Sequence, residues 1–237
     1  MTTPRTLARV AGLLYLVVVV GGVFNDIYVR SRIVRSGDAA ATADNIRASA
    51  QLYRIGFVGD AVAGACWLLT AMALYLLLRH VNQMVAAAMV TLVAVGAAVG
   101  SLNMLNQYTA LTVATGEDYT RGLGAAGSDA LTQLFVEAHH NGFILNAMFF
   151  GLWLAPLGYL VMRSGYVPRV LGVLLIIGCF GYLADFFAFF LAHGLGTRIG
   201  PLLAAVGGIP EILFVAWLLV RAVRVPAPDA RVSPVTG

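Results

Sequence analysis

Glu137, His140 and Asn141 stand at i, i+3 and i+4 inside a long apolar stretch, and His139 and Asn146 line a second face of the same segment. Imidazole and carboxylate together suit zinc or iron, and Glu-x-x-His is the spacing that each of two helices supplies in di-iron bundles. This chain has one copy, so a metal at Glu137 and His140 would need acids from other helices. The same groups suit a proton or cation relay. They also suit a hydrogen-bonded structural network in which every member is satisfied. All three readings stay open on the residues alone.

Four further apolar stretches carry one carboxylate each, namely Asp26, Asp60, Asp185 and Glu211, and the remaining one carries Asn103, Asn106 and Gln107. An ionised carboxylate at mid-membrane costs on the order of 2.5–3.5 kcal/mol on the lenient insertion scale. Such groups must be protonated, paired, solvated in a cavity or bound to a cation. Arg30 and Arg54 flank the first and second stretches and are the expected ion-pair partners, most simply for Asp26 or Asp60.

Composition sets the environment of these groups. Of 237 residues 60% are hydrophobic and only 11% are charged, and mean hydropathy is +0.86. Soluble domains carry about 25% charged residues, so the profile is that of an integral membrane protein. The net charge of +4 rests on arginine alone, because lysine is absent. A basic balance of this kind concerns topology and headgroup contact, and nucleic acid is not an expected partner. Cys66 and Cys179 both lie in apolar stretches and read as packing residues.

Six stretches approach the ~20 residues needed to cross the hydrocarbon core: Leu7–Val29, Ile55–Leu78, Val85–Thr115, Leu134–Met162, Val170–Leu191 and Pro201–Val220. The expected architecture is an all-α, six-transmembrane-helix bundle. Residues 1–225 form a single domain and 226–237 a disordered tail. Orientation follows arginine placement. With the N-terminus inside, Arg5, Arg9, Arg79, Arg163, Arg169, Arg221, Arg224 and Arg231 are cytoplasmic. Arg121, Arg198 and a first loop with Arg30, Arg32, Arg35, Arg47 and Arg54 are outside. The totals nearly balance. Setting the first loop aside leaves a strong inward excess, so both termini are placed inside and the first-loop arginines are assigned a separate task. In that loop Thr42 is expected to cap a short helix from Ala43 to Leu52, and Gly116–Gln133 reads as a third, glycine-rich loop.

Counting from these span ends at 1.5 Å per residue puts Asp26, Asp60, Glu137, His140, Asp185 and Glu211 roughly 5–15 Å below one surface. Small residues accompany them, including Gly22 before Asp26, Gly56 before Asp60, and Gly207 and Gly208 before Glu211. Small residues mark helix contact faces in bilayers, so the acids are expected to point inward and to share one outer-half cavity.

His-Glu-x-x-His, Gly-x-Ser-x-Gly, Cys-x-x-Cys and phosphate-binding glycine loops are all absent, so no enzyme class is indicated. The site residues are thus a polar group of Asp26, Asp60, Asn103, Asn106, Glu137, His140, Asn141, Asp185 and Glu211, with Glu137 and His140 as the metal candidates.

Several ordered blocks carry a family resemblance. They are Arg9-x-Ala-Gly-Leu-Leu-Tyr15, Asp38-Ala-Ala-Ala-Thr42, Arg54-x-Gly-Phe-x-x-Asp60, His140 followed by Phe149-Phe-Gly-Leu, Ser164-Gly-x-x-Pro-Arg-x-Leu-Gly172, and Pro210-Glu211. From about Arg5 to Val220 the chain resembles the bacterial domain-of-unknown-function 4386 family. The resemblance implies a multi-pass protein of the bacterial cytoplasmic membrane and brings no activity with it. Two function classes are carried forward. One is a small transporter or binding protein for a cation, proton or small molecule. The other is an intramembrane metal-dependent enzyme acting on a lipid headgroup, with a structural or partner subunit as a third option.

Overall fold

In this computed structural model, residues 3–116 and 122–223 are described. The first helix, α1 (Pro4–Val23), starts with Pro4 at its first position and a Thr3 hydroxyl that accepts from the Thr6 N–H. It runs on through a π-helical stretch, Phe24–Arg30, and a last turn, Ser31–Ile33. A short helix, α2 (Ala39–Ala48), precedes α3 (Ala50–Leu78) and α4 (Gln83–Thr115). Then come α5 (Gly124–Leu152), α6 (Leu154–Ser164), α7 (Arg169–Leu191) and α8 (His193–Val220). No strand occurs among the described residues.

Six segments are long and apolar enough to cross a membrane: Pro4–Ile33, Ala50–Leu78, Gln83–Thr115, Gly124–Ser164, Arg169–Leu191 and Gly194–Val220. The chain is therefore an all-α, multi-pass membrane protein whose environment is a lipid bilayer. Alternation of six spans defines two faces. A termini face holds the starts of α1, α4 and α7 and the ends of α3, α6 and α8. A loop face holds α2.

The fourth span is longer than a crossing needs. Its 41 residues extend about 60 Å at 1.5 Å per residue, twice the ~30 Å core. Pro156 has no N–H for the Leu152 carbonyl, and the helix breaks at Trp153 between α5 and α6. The start of α5 and the end of α4 pass beyond the core on the loop face and form the shelf on which α2 rests. A small core of Val29, Ile33, Ile46, Tyr53, Leu111 and Val136 seals that contact. The larger core lies toward the termini face and includes Tyr15, Trp67, Met89, Trp153, Leu175 and Phe214.

Several details differ from the sequence reading. Asp38, not Thr42, caps α2, through a 2.9 Å bond from the Ala41 N–H. The Thr42 hydroxyl instead closes the preceding loop, donating to the Asp38 and Arg35 carbonyls and accepting from the Arg35 N–H. Most of the expected third loop is helix, because the fourth span begins at Gly124, well before Gln133. The helix of the sixth span, α8, begins at His193 rather than Pro201 and carries Pro201 and Pro210 in its interior. Arg121, Arg224, Arg231 and the 226–237 tail lie outside the described residues.

Three of the five first-loop arginines, Arg32, Arg35 and Arg47, make local contacts. Arg47 bridges Asp44 at 2.7 Å and Asp129 at 3.1 Å and also donates to the Ala114 carbonyl, tying α2 to α4 and α5. The Asp44 bond, with the Asp129 bond behind it, raises the Arg47 pKa above its ordinary value despite some burial. Arg35 donates to the Ser31 carbonyl, and Arg32 lies 3.8 Å over the Tyr28 ring.

Candidate functional site

Glu211 on α8 accepts a hydrogen bond at each carboxylate oxygen. The Tyr15 hydroxyl of α1 donates to Oε2, and the Tyr182 hydroxyl of α7 donates to Oε1 at 2.8 Å. Three spans thus meet at one acid. An arc of rings connects the two tyrosines. Tyr15 meets Trp153 at 5.4 Å between centroids, Trp153 meets Trp67 at 5.9 Å, Trp67 meets Phe150 at 4.9 Å, and Phe150 meets Tyr182 at 6.2 Å. Trp153 is fully buried, and its indole Nε1 has no hydrogen-bond partner. Such an orphan is costly in an apolar interior and marks where a polar group could be received.

The backbone beside Glu211 is also unusual. Pro210 lacks the N–H that would bond the Val206 carbonyl, so the usual i+4 helix bond to that acceptor is missing. Gly207 and Gly208 precede it, and a Cβ on Gly207 would lie 2.7 Å from the Tyr182 ring. Glycine here is what lets the tyrosine lie across α8 and reach the acid.

Glu211 does not belong with the outer group. It lies 17 residues from Gly194, roughly 25 Å, but only nine from Val220, roughly 14 Å. Tyr15 is likewise nearer the start of its span than the end. This site lies near mid-bundle, toward the termini face. The earlier depth was set by a span begun at Pro201, eight residues too late.

Nearer the loop face, the Asn25 side-chain amide donates to Asp60. The inward stripe of the first span runs Gly21, Asn25, Val29: a Cβ on Gly21 would meet Ala63 at 3.2 Å, and one on Gly56 would meet Asn25 and Val29. A Cβ on Gly22 would meet nothing within 4 Å, and Asp26, four residues on, is exposed. The inward orientation expected of Asp26 is therefore corrected by one residue. The amide inside is Asn25, carried on the π-helical stretch, a form frequent at functional sites. The ion-pair expectation is corrected too. Among the described residues neither Arg30 nor Arg54 comes within 4 Å of a carboxylate oxygen, because Asn25 already occupies Asp60 and Arg54 is exposed. Arg30 interacts with Asp26, Tyr53, His139 and His140 at longer range.

On α4 and α5, the Asn103 amide donates to the His139 carbonyl at 2.8 Å and accepts from the Asn106 amide at 3.1 Å. Glu137 is exposed and accepts from Gln133 on its own helix at 2.9 Å, and Asn141 is exposed. His140 packs edge-on against Phe189, and its Nδ1 is buried without a partner. Glu137 and His140 gain no third ligand: among the described residues no three His, Cys, Asp or Glu side chains gather as a metal would need. Asp185 is buried, with Oδ1 close to Gly200. The polar residues thus form a deep Glu211 site, an Asn25–Asp60 pair and an Asn103–His139 group, not one shared cavity.

A pattern connects these sites. Glycines stand opposite the polar side chains, on a facing helix: Gly56 for Asn25, Gly100 for Asn146, Gly142 for Asn103 and Gly207 for Tyr182. Tyr15, Tyr182 and Asn25 were missed as site residues. Tyr15 closes the Arg9–Tyr15 block and Tyr182 precedes Asp185 by one turn, but nothing in the sequence pairs either with Glu211.

Residues 10–222 match the family model described as Domain of unknown function (DUF4386). The chain belongs to this family. It is also 36% identical over 81 residues to a protein of Archaeoglobus fulgidus named only as an uncharacterized protein; the match covers 32% of the chain and 44% of that relative, less than half its length. No solved structure matches. For this DUF4386 chain the matched region takes in Tyr15, Asp60, Tyr182 and Glu211, and all six spans are wholly or largely within it.

Proposed function

We propose that this membrane protein is a small transporter or ion-binding protein in which Glu211 binds and releases a proton or a small cation. One observation carries the reading: a single acid near mid-bundle accepts hydroxyl hydrogen bonds from two other spans, directly after a proline that removes one N–H from the helix ladder. Carboxylate, hydroxyl and carbonyl oxygens are the donors a hard cation takes. Carbonyls released from a helix near the bilayer midplane are where secondary transporters hold coupling ions. The tyrosine hydroxyls would turn their lone pairs to a bound cation or donate to the bare carboxylate, so the pair serves both loaded and empty states. The arginines of the termini face support placing both ends in the cytoplasm, and a bacterial cytoplasmic membrane is the proposed location.

The test uses purified protein in detergent titrated with Na+, K+ or acid while thermal unfolding is followed. A ligand that binds only the folded state adds about 2.7 kcal/mol at a hundred times its Kd. Wild type should be stabilised by one of these ions, and Glu211→Gln should keep its fold and lose that response. An unchanged response in Glu211→Gln would reject Glu211 as the binding group.

A second reading, a metal-dependent enzyme on lipid headgroups, is favoured only by the unpartnered His140 Nδ1. Elemental analysis of wild type against His140→Ala decides it: stoichiometric metal lost in the variant supports this reading.

A further inference from the structure

We propose that the cleft between Arg163 and Arg169, at the termini face, binds a phosphate group of the kind carried by anionic lipid headgroups. It is separate from the Glu211 site and does not depend on it.

The cleft lies where α6 turns into α7 and is lined by Met162, Arg163, Gly165, Val167, Pro168 and Arg169. The turn is built, not slack. Gly165 takes a left-handed φ of 70° that ends α6. The Ser164 hydroxyl donates to the Val161 carbonyl at 3.0 Å and accepts the Tyr166 N–H at 3.2 Å. The Tyr166 ring packs against His80 at a tilt of 46°, 4.9 Å between centroids, and Val167 is buried. Below the turn, Gly158 and Gly172 let the two helices touch: a Cβ on either would lie 2.6 Å from the other's carbonyl. The two guanidinium-bearing residues are therefore held on a fixed frame.

Both arginines are exposed, and among the described residues neither has an ion-pair or hydrogen-bond partner. No carboxylate lines the cleft. Arg169 opens α7; the Leu171 N–H bonds the Pro168 carbonyl at 3.0 Å, and the N–H groups of Arg169 and Val170 at that end have no helix partner. Guanidinium forks and a helix N-terminus are complementary to phosphate oxygens. The surrounding charge agrees. Arg5, Arg9, Arg79 and Arg221 share this face, while the described acids other than mid-bundle Glu211 belong to the loop-face half. The cleft sits where two membrane-crossing segments end, the level at which a bilayer presents its headgroup phosphates, and Met162, Val167 and Pro168 line it beside the arginines. A basic pocket between helices at a membrane surface is the geometry in which anionic headgroups are held.

The experiment is native mass spectrometry of the full chain released from nanodiscs of phosphatidylglycerol mixed with phosphatidylcholine. Wild type should retain phosphatidylglycerol selectively. Arg163→Gln/Arg169→Gln, which changes only exposed side chains, should keep its melting temperature and retain the anionic lipid about tenfold less. Arg221→Gln, on the same face but outside the cleft, should retain it as wild type does. Millimolar inorganic phosphate forms a second arm. Displacement of the lipid by phosphate in wild type but not in the double variant would assign free phosphate as an equal occupant of the same cleft. Equal lipid retention by wild type and the double variant would overturn the proposal. So would an equal loss in Arg221→Gln, which would mean diffuse surface charge.

Discussion

Substituting Gly207 by alanine while leaving its neighbour Gly208 untouched isolates the packing that carries Tyr182 to Glu211. A methyl on Gly207 would lie 2.7 Å from Tyr182 Cε2 and Cζ, whereas one on Gly208 would lie 3.7 Å from the Tyr182 hydroxyl, an ordinary contact. Tyr182 has little room to retreat, because its Cβ side faces Gly151 and its ring faces Phe150. Forcing an extra methyl into a packed interior costs about 1–3 kcal/mol. Displacing the hydroxyl from Glu211 adds about 0.6 kcal/mol if it behaves as the average hydrogen bond between membrane helices. Both alanines gain about 1 kcal/mol in helix propensity. The net expectation is a loss of about 0.6–2.6 kcal/mol for Gly207→Ala and no loss, or a gain of up to about 1 kcal/mol, for Gly208→Ala. For a chain of this size each kcal/mol shifts the midpoint by about 2–4 °C. Thermal unfolding in detergent, followed by the intrinsic fluorescence of Trp67, Trp153 and Trp217, reads the difference directly. Equal midpoints for the two alanine variants would refute the packing argument, since the two sites differ in this contact and not in chemistry.

Asn25→Ala should destabilise more than Asp60→Asn, by about 1 kcal/mol, because the first strands a half-buried carboxylate and the second keeps an amide pair; denaturant titration of both variants checks the order. Arg47→Ala should change global stability by less than about 1 kcal/mol, as its bridges are largely exposed, yet should speed hydrogen exchange across α2, measured by mass spectrometry. Pro210→Ala returns an N–H to the Val206 carbonyl and should raise the melting temperature while abolishing the ion response of wild type; a retained response would separate that carbonyl from the site.

The number and type of spans were legible because lipid leaves the chain one solution, and apolar length reports it directly. Helix ends were less so. Pro201 reads as a start, but α8 tolerates proline inside a bilayer helix, where neighbours re-satisfy the freed carbonyl, and this one misplacement moved Glu211 into the wrong half. Facing was lost by one residue at Asp26, because a glycine at i−4 marks a contact face only when that glycine makes contact. Gly21 does and Gly22 does not. Acid partners were the least legible part. Arginine is the obvious partner for a carboxylate, but Glu211 takes Tyr15 and Tyr182 and Asp60 takes Asn25, chosen by tertiary proximity that spacing along the chain does not encode.

The central claim is tested most directly by charge movement across proteoliposomes containing wild type or Glu211→Gln, recorded on a solid-supported membrane after steps in Na+, K+ or pH. The account predicts a transient current in wild type under at least one of these gradients and none in Glu211→Gln reconstituted at equal density. Identical currents from both proteins, or no current from wild type under any gradient, would contradict it.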